Sequence, residues 1–477
     1  MTQSRNPSTL DIYCIAIGGT GMAPLACLLQ DEGHRVRGVD GKLYPPMSTL
    51  LEGAGIVPLE GFDAAHLSPA PDLVVVGNAV PRTNPEAQEA DRLGLERISM
   101  PQALARFFLD GRRPLVVAGT HGKTTTTAMA AWVFSACGTD PGYLVGGVPR
   151  NLERSFHRGN GMRFILEGDE YNAAYFDRGA KFLHYQPETL LLTSVEHDHV
   201  DLYPTAQSLE DAYARLIALL PADGLLVACG DSDEIRILAA DSPARVVFYG
   251  LTERNDVHPK DLQSTPAGMS FTLVDRSGNS TVEIHLTLPM WGDYNVGNAL
   301  AVWTAARRDG IAPDAIRRAL ASFQGVKRRQ EEVGGGGGVL VVDDFAHHPT
   351  AVGKTLDGLR QHYPGRRLVA LFEPRSLTAG REFFFAPYVE AFERADRVHF
   401  APTFHAARLT AEERLDLPAL AAALGAKGTP ATAYVSIDEL LDAVIEQAQP
   451  GDVLVTMSSG SFSGAPQRLA AALASRD

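Results

Sequence analysis

The segment GTHGKTTTT (119–127) follows the apolar run LVVA (115–118) and opens into TAMAAWVFSACG, a stretch with helical composition. A strand that turns through glycines into a helix aims backbone N–H groups and the positive end of the helix dipole at an anion. In that setting Lys123 reaches the β- and γ-phosphates of a nucleotide, and the Thr124 hydroxyl takes Mg²⁺. The usual G-x-x-x-x-G-K-[ST] spacing is not met, because Val117 occupies the first glycine position and the loop begins at Gly119. Taken alone, the segment reads equally well as a glycine-rich turn. The strand before it and the helix after it favour nucleotide binding.

Two acidic runs follow apolar strands. EGDEY (167–171) carries Glu167 and Asp169, and SVEHDHVDLY (194–203) carries Glu196, His197, Asp198, His199 and Asp201. Ligands of open α/β sheets collect outside the carboxyl ends of the strands, so both runs belong beside the glycine loop. Mg²⁺ needs few protein ligands when phosphate oxygens and waters supply the rest, and Thr124, Glu167 and His199 suffice. Either run alone is more simply a solvated loop. Further along, GDYNVGNALAV (292–302) spaces Asn295 and Asn298 as helix caps are spaced, and capping is the favoured reading of Asn295. VVDDFAHHPTA (341–351) ends a buried strand in Asp343, Asp344, His347 and His348, and RRQE (328–331) precedes it. No third ligand follows the histidine pair at a zinc-enzyme spacing, so a nucleotide or transition-state contact is expected there and a metal is not. Near the N-terminus, GGTGM (18–22) with Asp40 some twenty residues on imitates a dinucleotide loop, but Pro24 holds the third glycine position. That weakens a nicotinamide-dependent oxidoreductase reading and leaves another diphosphate-bearing nucleotide open. A non-catalytic P-loop module is the third possibility.

Several elements must position these groups. A chain of 477 residues is too long for one core, and 45% hydrophobic with 21% charged residues is ordinary globular composition. Three α/β segments are expected: 1–112, 113–325 and 326–477. In the first, IYCIAIGG and VRGVD are strands around a helix closed by Gly33; in the second, RFILEGD, TLLLTSV and GLLVACG follow the glycine loop; in the third, VLVVDD, RLVALFEP and DVLVTM alternate with helices. The strands VVFYG, MSFTLVD and TVEIHLTLP (near 245–290) are expected to be antiparallel, and the glycines 334–338 to form a hairpin tip. A net charge of −14 argues against nucleic acid and anionic membrane surfaces. Four scattered cysteines, a polar start (MTQSRNPSTL) and no apolar run of membrane-spanning length point to a cytoplasmic protein.

In order and across nearly the whole chain, GGTGM, GTHGKTTTT, EGDEY, the E-x-D-H-x-D pattern, YNVGNALA, RRQE and DDFAHHPTA resemble the Mur ligase family, ATP-dependent amide-forming enzymes of peptidoglycan precursor metabolism. The resemblance implies three domains: a Rossmann-like UDP-sugar domain, a central P-loop ATPase domain with a mixed sheet, and a Rossmann-like C-terminal domain that binds the incoming peptide. It implies ATP contacts from Gly119, Thr120, His121, Gly122, Lys123, Thr124, Thr125, Asn295, Asn298, Arg329, Asp344 and His347, with Lys123, Glu167, His199, Arg329 and Asp344 catalytic. UDP-sugar contacts fall to Gly18, Gly19, Thr20, Gly21, Met22, Asp40, Asn78, Ala79 and His121, and peptide contacts to Arg375 and His348. The loops are similar to the branch that uses UDP-N-acetylmuramate. YPPMSTLLE (44–52), KFLHYQP (181–187) and EPRS (373–376) point to L-alanyl-γ-D-glutamyl-meso-diaminopimelate as acceptor, with L-alanine as the alternative. Ser194, Asn172 and Gln330 depart from the family pattern without removing any of these groups.

Overall fold

The computed structural model describes residues 9–475; most of the polar N-terminal run lies outside them. Three principal sheets carry the fold. The first is all parallel, in the order Leu59–Glu60, Arg35–Asp40, Asp11–Ile15, Leu73–Val76, Arg97–Ser99. Its chain reverses direction of travel between Asp11–Ile15 and Leu73–Val76, which opens a crevice above those two strands. The strand LVVV (73–76) is buried along its whole length, as a parallel strand covered on both faces must be.

The central sheet has ten strands. Arg113–Ala118 lies between Thr189–Leu192 and Arg163–Gly168, parallel to both, so the glycine loop and the two acidic runs leave adjacent strands at the same edge. The far side corrects one expectation. Arg245–Tyr249, which contains VVFYG, pairs in parallel with Leu225–Cys229, and the antiparallel part begins only at Val257–Thr265 with Gly268–Asp275 and Val282–Leu288. The helix Asp233–Ala239 supplies the crossover that keeps Arg245–Tyr249 parallel. Alternation alone could not reveal it. The third sheet is parallel except at its edge, where Glu331–Gly336 and Val339–Asp344 form the expected glycine hairpin.

The seams between these layers differ in chemistry. One apolar core runs from Ile12 of the first sheet and Leu28 and Phe108 of the helices packed on it into Phe164 and Leu190 of the central sheet and the neighbouring Phe182. The third sheet has cores of its own, and its side meets the central sheet through polar contacts and one aromatic stack. Gln330 Nε2 donates to the Tyr294 hydroxyl at 2.8 Å, and Gln361 Oε1 accepts from the Gly292 amide at 3.1 Å. The His362 ring lies 3.3 Å from Trp291, nearly coplanar, with Tyr363 at 3.9 Å.

Burial pushes the His362 imidazole down to about 4, with Glu332 opposing. The folded protein therefore prefers the neutral ring. The stability this provides is complete above the ordinary histidine value near 6.5 and is lost as pH falls toward about 4. Between pH 6.5 and 4 the thermal midpoint of His362→Phe is expected to fall less steeply than that of the wild type. Equal slopes in parallel calorimetric scans would show that this stack does not titrate as described.

Candidate functional site

Gly119 and Gly122 set the loop between the strand Arg113–Ala118 and the helix Lys123–Ala136. Both have positive φ, 135° and 83°, and a Cβ on Gly119 would collide with Thr193 and Ser194. The loop is tied down from the neighbouring strand end. Ser194 O accepts from the Thr120 amide at 2.9 Å, Ser194 Oγ accepts from the His121 amide at 2.8 Å, and the Thr120 hydroxyl bridges the backbone of Glu196. The departure at Ser194 thus anchors the loop directly.

Lys123 is largely withdrawn from solvent, its side chain 16% exposed, and an ammonium so placed must be paired. Its Nζ lies 2.9 and 3.0 Å from the two oxygens of Glu170 and 2.6 Å from Gly119 O. Burial opposes the charge, but Glu170, Asp169 and Glu167 hold the lysine above its ordinary pKa. Glu170 also reaches His199 Nε2 at 3.0 Å. Burial likewise opposes charge on His199, and Glu170 and Asp198 overcome it, raising its pKa. His199 sits at φ 53°, a left-handed conformation uncommon for a non-glycine residue and found disproportionately at functional sites.

Glu167 is raised by burial and meets no cation directly: its oxygens accept from the Gly146 amide and from the Thr124 hydroxyl at 3.1 Å. A partly buried carboxylate beside a threonine hydroxyl at a helix N-terminus fits a hard divalent ion that brings its own waters and phosphate oxygens. The fit is good for Thr124 and Glu167. His199 is instead engaged with Glu170, so the expected trio is not gathered into one contact.

Arg329 arrives from the other side of the seam. Its Nη2 donates to Thr124 Oγ1 at 3.3 Å, and its guanidinium lies 4.6 Å from the centre of the Phe345 ring. Arg328 and Gln330 flank it at φ 60° and 50°, which turns the segment sharply. Asp344 fixes that turn: it accepts from the Gln330 amide at 2.7 Å, and from Ala346 N and Thr355 Oγ1. Burial raises the Asp344 carboxyl and lowers the Arg329 guanidinium.

Asn295 and Asn298 are not caps. The helix Asp293–Arg308 starts after Gly292 with no side-chain cap; Asn295 Nδ2 donates to Trp291 O at 2.7 Å, and Asn298 Nδ2 to Asn295 Oδ1 at 3.3 Å. Asn298 also backs onto Gly122. His348 caps the helix Pro349–His362, and its ring lies 4.6 Å from that of His121. Burial lowers His347 and pushes His348 down to about 4, so both are neutral at pH 7. Thr350 Oγ1 donates to Glu196 at 2.5 Å across the seam. Thr125 is buried in the first turn of the loop helix.

In the first sheet, Gly18, Gly19, Thr20 and Gly21 run into the helix that begins at Met22, with Asn78 and Ala79 exposed on the turn after the adjacent strand. Asp40 is spent on the loop itself, accepting at 2.7 Å from the amides of Gly18 and Gly41. On the third sheet Arg375 covers the half-exposed Phe404 ring at 3.8 Å, and buried Glu373 stands 3.5 Å from it. Sequence reasoning missed Glu170. Its signal was present in EGDEY, but only the fold shows that it holds both Lys123 and His199.

This chain belongs to the Mur ligase family, ATP- and Mg²⁺-dependent enzymes that form carbon–nitrogen bonds. It matches the family's catalytic domain over residues 11–112, its middle domain over 117–306 and its glutamate ligase domain over 328–460. The UDP-N-acetylmuramate–L-alanyl-γ-D-glutamyl-meso-2,6-diaminoheptandioate ligase of Escherichia coli (strain K12) is 38% identical over 467 residues, 98% of each chain. The UDP-N-acetylmuramate–L-alanine ligase of a Psychrobacter species is 33% identical over 468 residues, 96% of this chain and 94% of that one. Among solved structures, a murein peptide ligase from Psychrobacter arcticus is 33% identical with a TM-score of 0.74, covering 98% of this chain and 99% of that one.

Removing the Glu170 charge frees Lys123 and His199 together. Glu170→Gln is expected to lower kcat about 10²-fold through misplacement of the lysine, with binding of the UDP-sugar unchanged. Steady-state kinetics with calorimetric binding separate the two, and an unchanged kcat would remove Glu170 from the site.

Proposed function

We propose that this protein is an ADP-forming ligase that joins the carboxylate of UDP-N-acetylmuramate to the α-amine of L-alanyl-γ-D-glutamyl-meso-diaminopimelate in peptidoglycan recycling. The observation that carries the ligase reading is the contact of Arg329, from the third domain, with the P-loop hydroxyl of Thr124 beside Glu167. A nucleotide bound there is enclosed from two domains at once. The tripeptide acceptor is supported by the relatives at higher identity and by the EPRS segment.

In this reading residues 1–112 hold the UDP-sugar, 113–325 hold ATP, and 326–477 bind the peptide and complete the ATP site. The GGTGM amides and the helix N-terminus at Met22 receive the diphosphate, with Asn78 and Ala79 beside it. The amides of the loop 119–122 cradle the ATP phosphates, and Lys123 moves from Glu170 onto the β- and γ-oxygens. Thr124 and Glu167, with His199 nearby, hold Mg²⁺, which neutralises charge on the phosphates. Asn295 and Asn298 face the nucleoside.

The lactyl carboxylate oxygen attacks the γ-phosphorus as the bond to the β-phosphate breaks and ADP leaves, giving an acyl phosphate. The tripeptide amine then attacks the acyl carbon, and the tetrahedral adduct collapses with loss of phosphate and of the amine proton. Positioning and charge neutralisation carry the first step, through Lys123 and Arg329. Closure of the third domain excludes water from the acyl phosphate. Arg375, presented on Phe404, receives a carboxylate of the peptide. L-Alanine as acceptor is the second reading, because ligases of that specificity align over nearly the same length.

A phosphate-release assay with UDP-N-acetylmuramate, ATP, and either the tripeptide, L-alanine or no amine tests this. Release is expected with the tripeptide alone and is abolished by Lys123→Ala; preference for alanine would overturn the acceptor. Arg375→Ala is expected to raise the tripeptide KM at least about tenfold with the ATP KM unchanged, the scale of one lost charge-assisted hydrogen bond.

A further inference from the structure

No third ligand follows the histidine pair 347–348 at a zinc-enzyme spacing, but the fold brings two groups to His348 from far upstream. His121 of the P-loop, Glu196 of the next strand end and His348 of the third domain each direct one ligand atom inward, all within 4.8 Å of one another. Among the described residues this is the one such group. Glu196 Oε2 stands 3.3 Å from His121 Nε2 and 3.8 Å from His348 Nδ1. Four donors about 2.1 Å from a tetrahedral ion sit roughly 3.4 Å from one another, so an ion fits after side-chain shifts of up to about an ångström.

The surroundings suit a metal that keeps an open position. The side chains of His121 and His348 are 14% and 8% exposed, whereas Glu196 is 35% exposed, which gives an approach from solvent. Thr350 steadies two of the three, its hydroxyl donating to Glu196 Oε2 and its amide to His348 Nδ1. The second bond is long, 3.3 Å, and can be exchanged for a metal bond on that nitrogen. Two imidazoles and one carboxylate select a borderline transition-metal ion over Mg²⁺, which prefers an all-oxygen octahedron.

We propose that His121, Glu196 and His348 form a second metal site, distinct from the Mg²⁺ position at Thr124 and Glu167, which takes a dication of the Zn²⁺ class. Because two ligands belong to the central domain and one to the third, an ion here ties the third domain against the P-loop. Occupancy holds the molecule closed and slows exchange of substrates and products.

The test uses the metal-free full chain without substrates, titrated with Zn²⁺ against a chromophoric chelator in millimolar Mg²⁺. One equivalent is expected to bind to the wild type. It is expected to weaken by more than the ~10–100-fold that loss of an outer-shell partner costs in each of His121→Asn, Glu196→Gln and His348→Gln. Glu167→Gln should leave it intact. Zinc-edge absorption spectroscopy of the wild type, which needs no variant to fold, should report two imidazoles. Failure of the wild type to bind, affinity unchanged in His348→Gln, or loss of the equivalent in Glu167→Gln alone would each overturn the proposal. None of these readouts depends on which amine the enzyme accepts.

Discussion

A buried ammonium without a counter-charge is unaffordable in a protein interior, and the arrangement of the centre follows from that single requirement. Lys123 lies at the start of a helix beside the ends of parallel strands, where its side chain is 16% exposed and water solvates it only in part. Glu170 must therefore stand at the end of the neighbouring strand, and the same carboxylate then has an oxygen left for His199. Glu167, two residues before the loop turns, is left to the Thr124 hydroxyl and a backbone amide. Without nucleotide the carboxylates hold the lysine in place. In the proposed nucleotide-bound state the phosphates would take over that role, one set of anions replacing another without a bare charge being buried.

The two seams of the molecule follow different physics. Between the first and central sheets the contact is continuous hydrocarbon, Phe108 lying 6.1 Å from Phe164 within one core. Separating those layers exposes apolar surface to water at roughly 25 cal/mol per Å². Between the central and third sheets the bridges are hydrogen bonds donated by Arg329, Gln330 and Thr350 and one accepted by Gln361, each replaceable by water, together with the stack of His362 on Trp291. A polar seam parts at lower cost than an apolar one, and it is the seam that borders the proposed nucleotide site. Gln330 adds to that polar character through its bond to the Tyr294 hydroxyl.

Much of this was legible in the sequence because the chemistry is local. The glycine loop, the lysine and threonine after it, and the acidic runs after apolar strands each lie within a few residues of the element that positions them. The glycine hairpin was legible for the same reason. Pairings set by tertiary contact were not. Glu170 looks like any of three acidic residues in EGDEY, and only the register of Arg163–Gly168 beside Arg113–Ala118 brings it onto Lys123. Asp40 has the position of a ribose acceptor, yet both oxygens are taken by loop amides. Asn295 has the spacing of a cap, but the helix starts three residues earlier than that role requires. The parallel pairing of Arg245–Tyr249 depends on a short crossover helix that strand alternation does not encode.

The glycine hairpin has a consequence for how this gene can vary. Gly336 and Gly334 lie under the C-terminal helix Ala465–Ala474, with a Cβ on Gly336 blocked by the backbone of Leu473 and Ala474 and one on Gly334 reaching Ala470. The tract is thus a bare seat for a helix, and side chains are barred from it. Gain or loss of a single glycine would shift the pairing of Glu331 and Glu332 against Val342 and Asp343 by one position and turn alternate faces over. The repeat length itself is therefore under structural constraint, enforced at the far end of the chain.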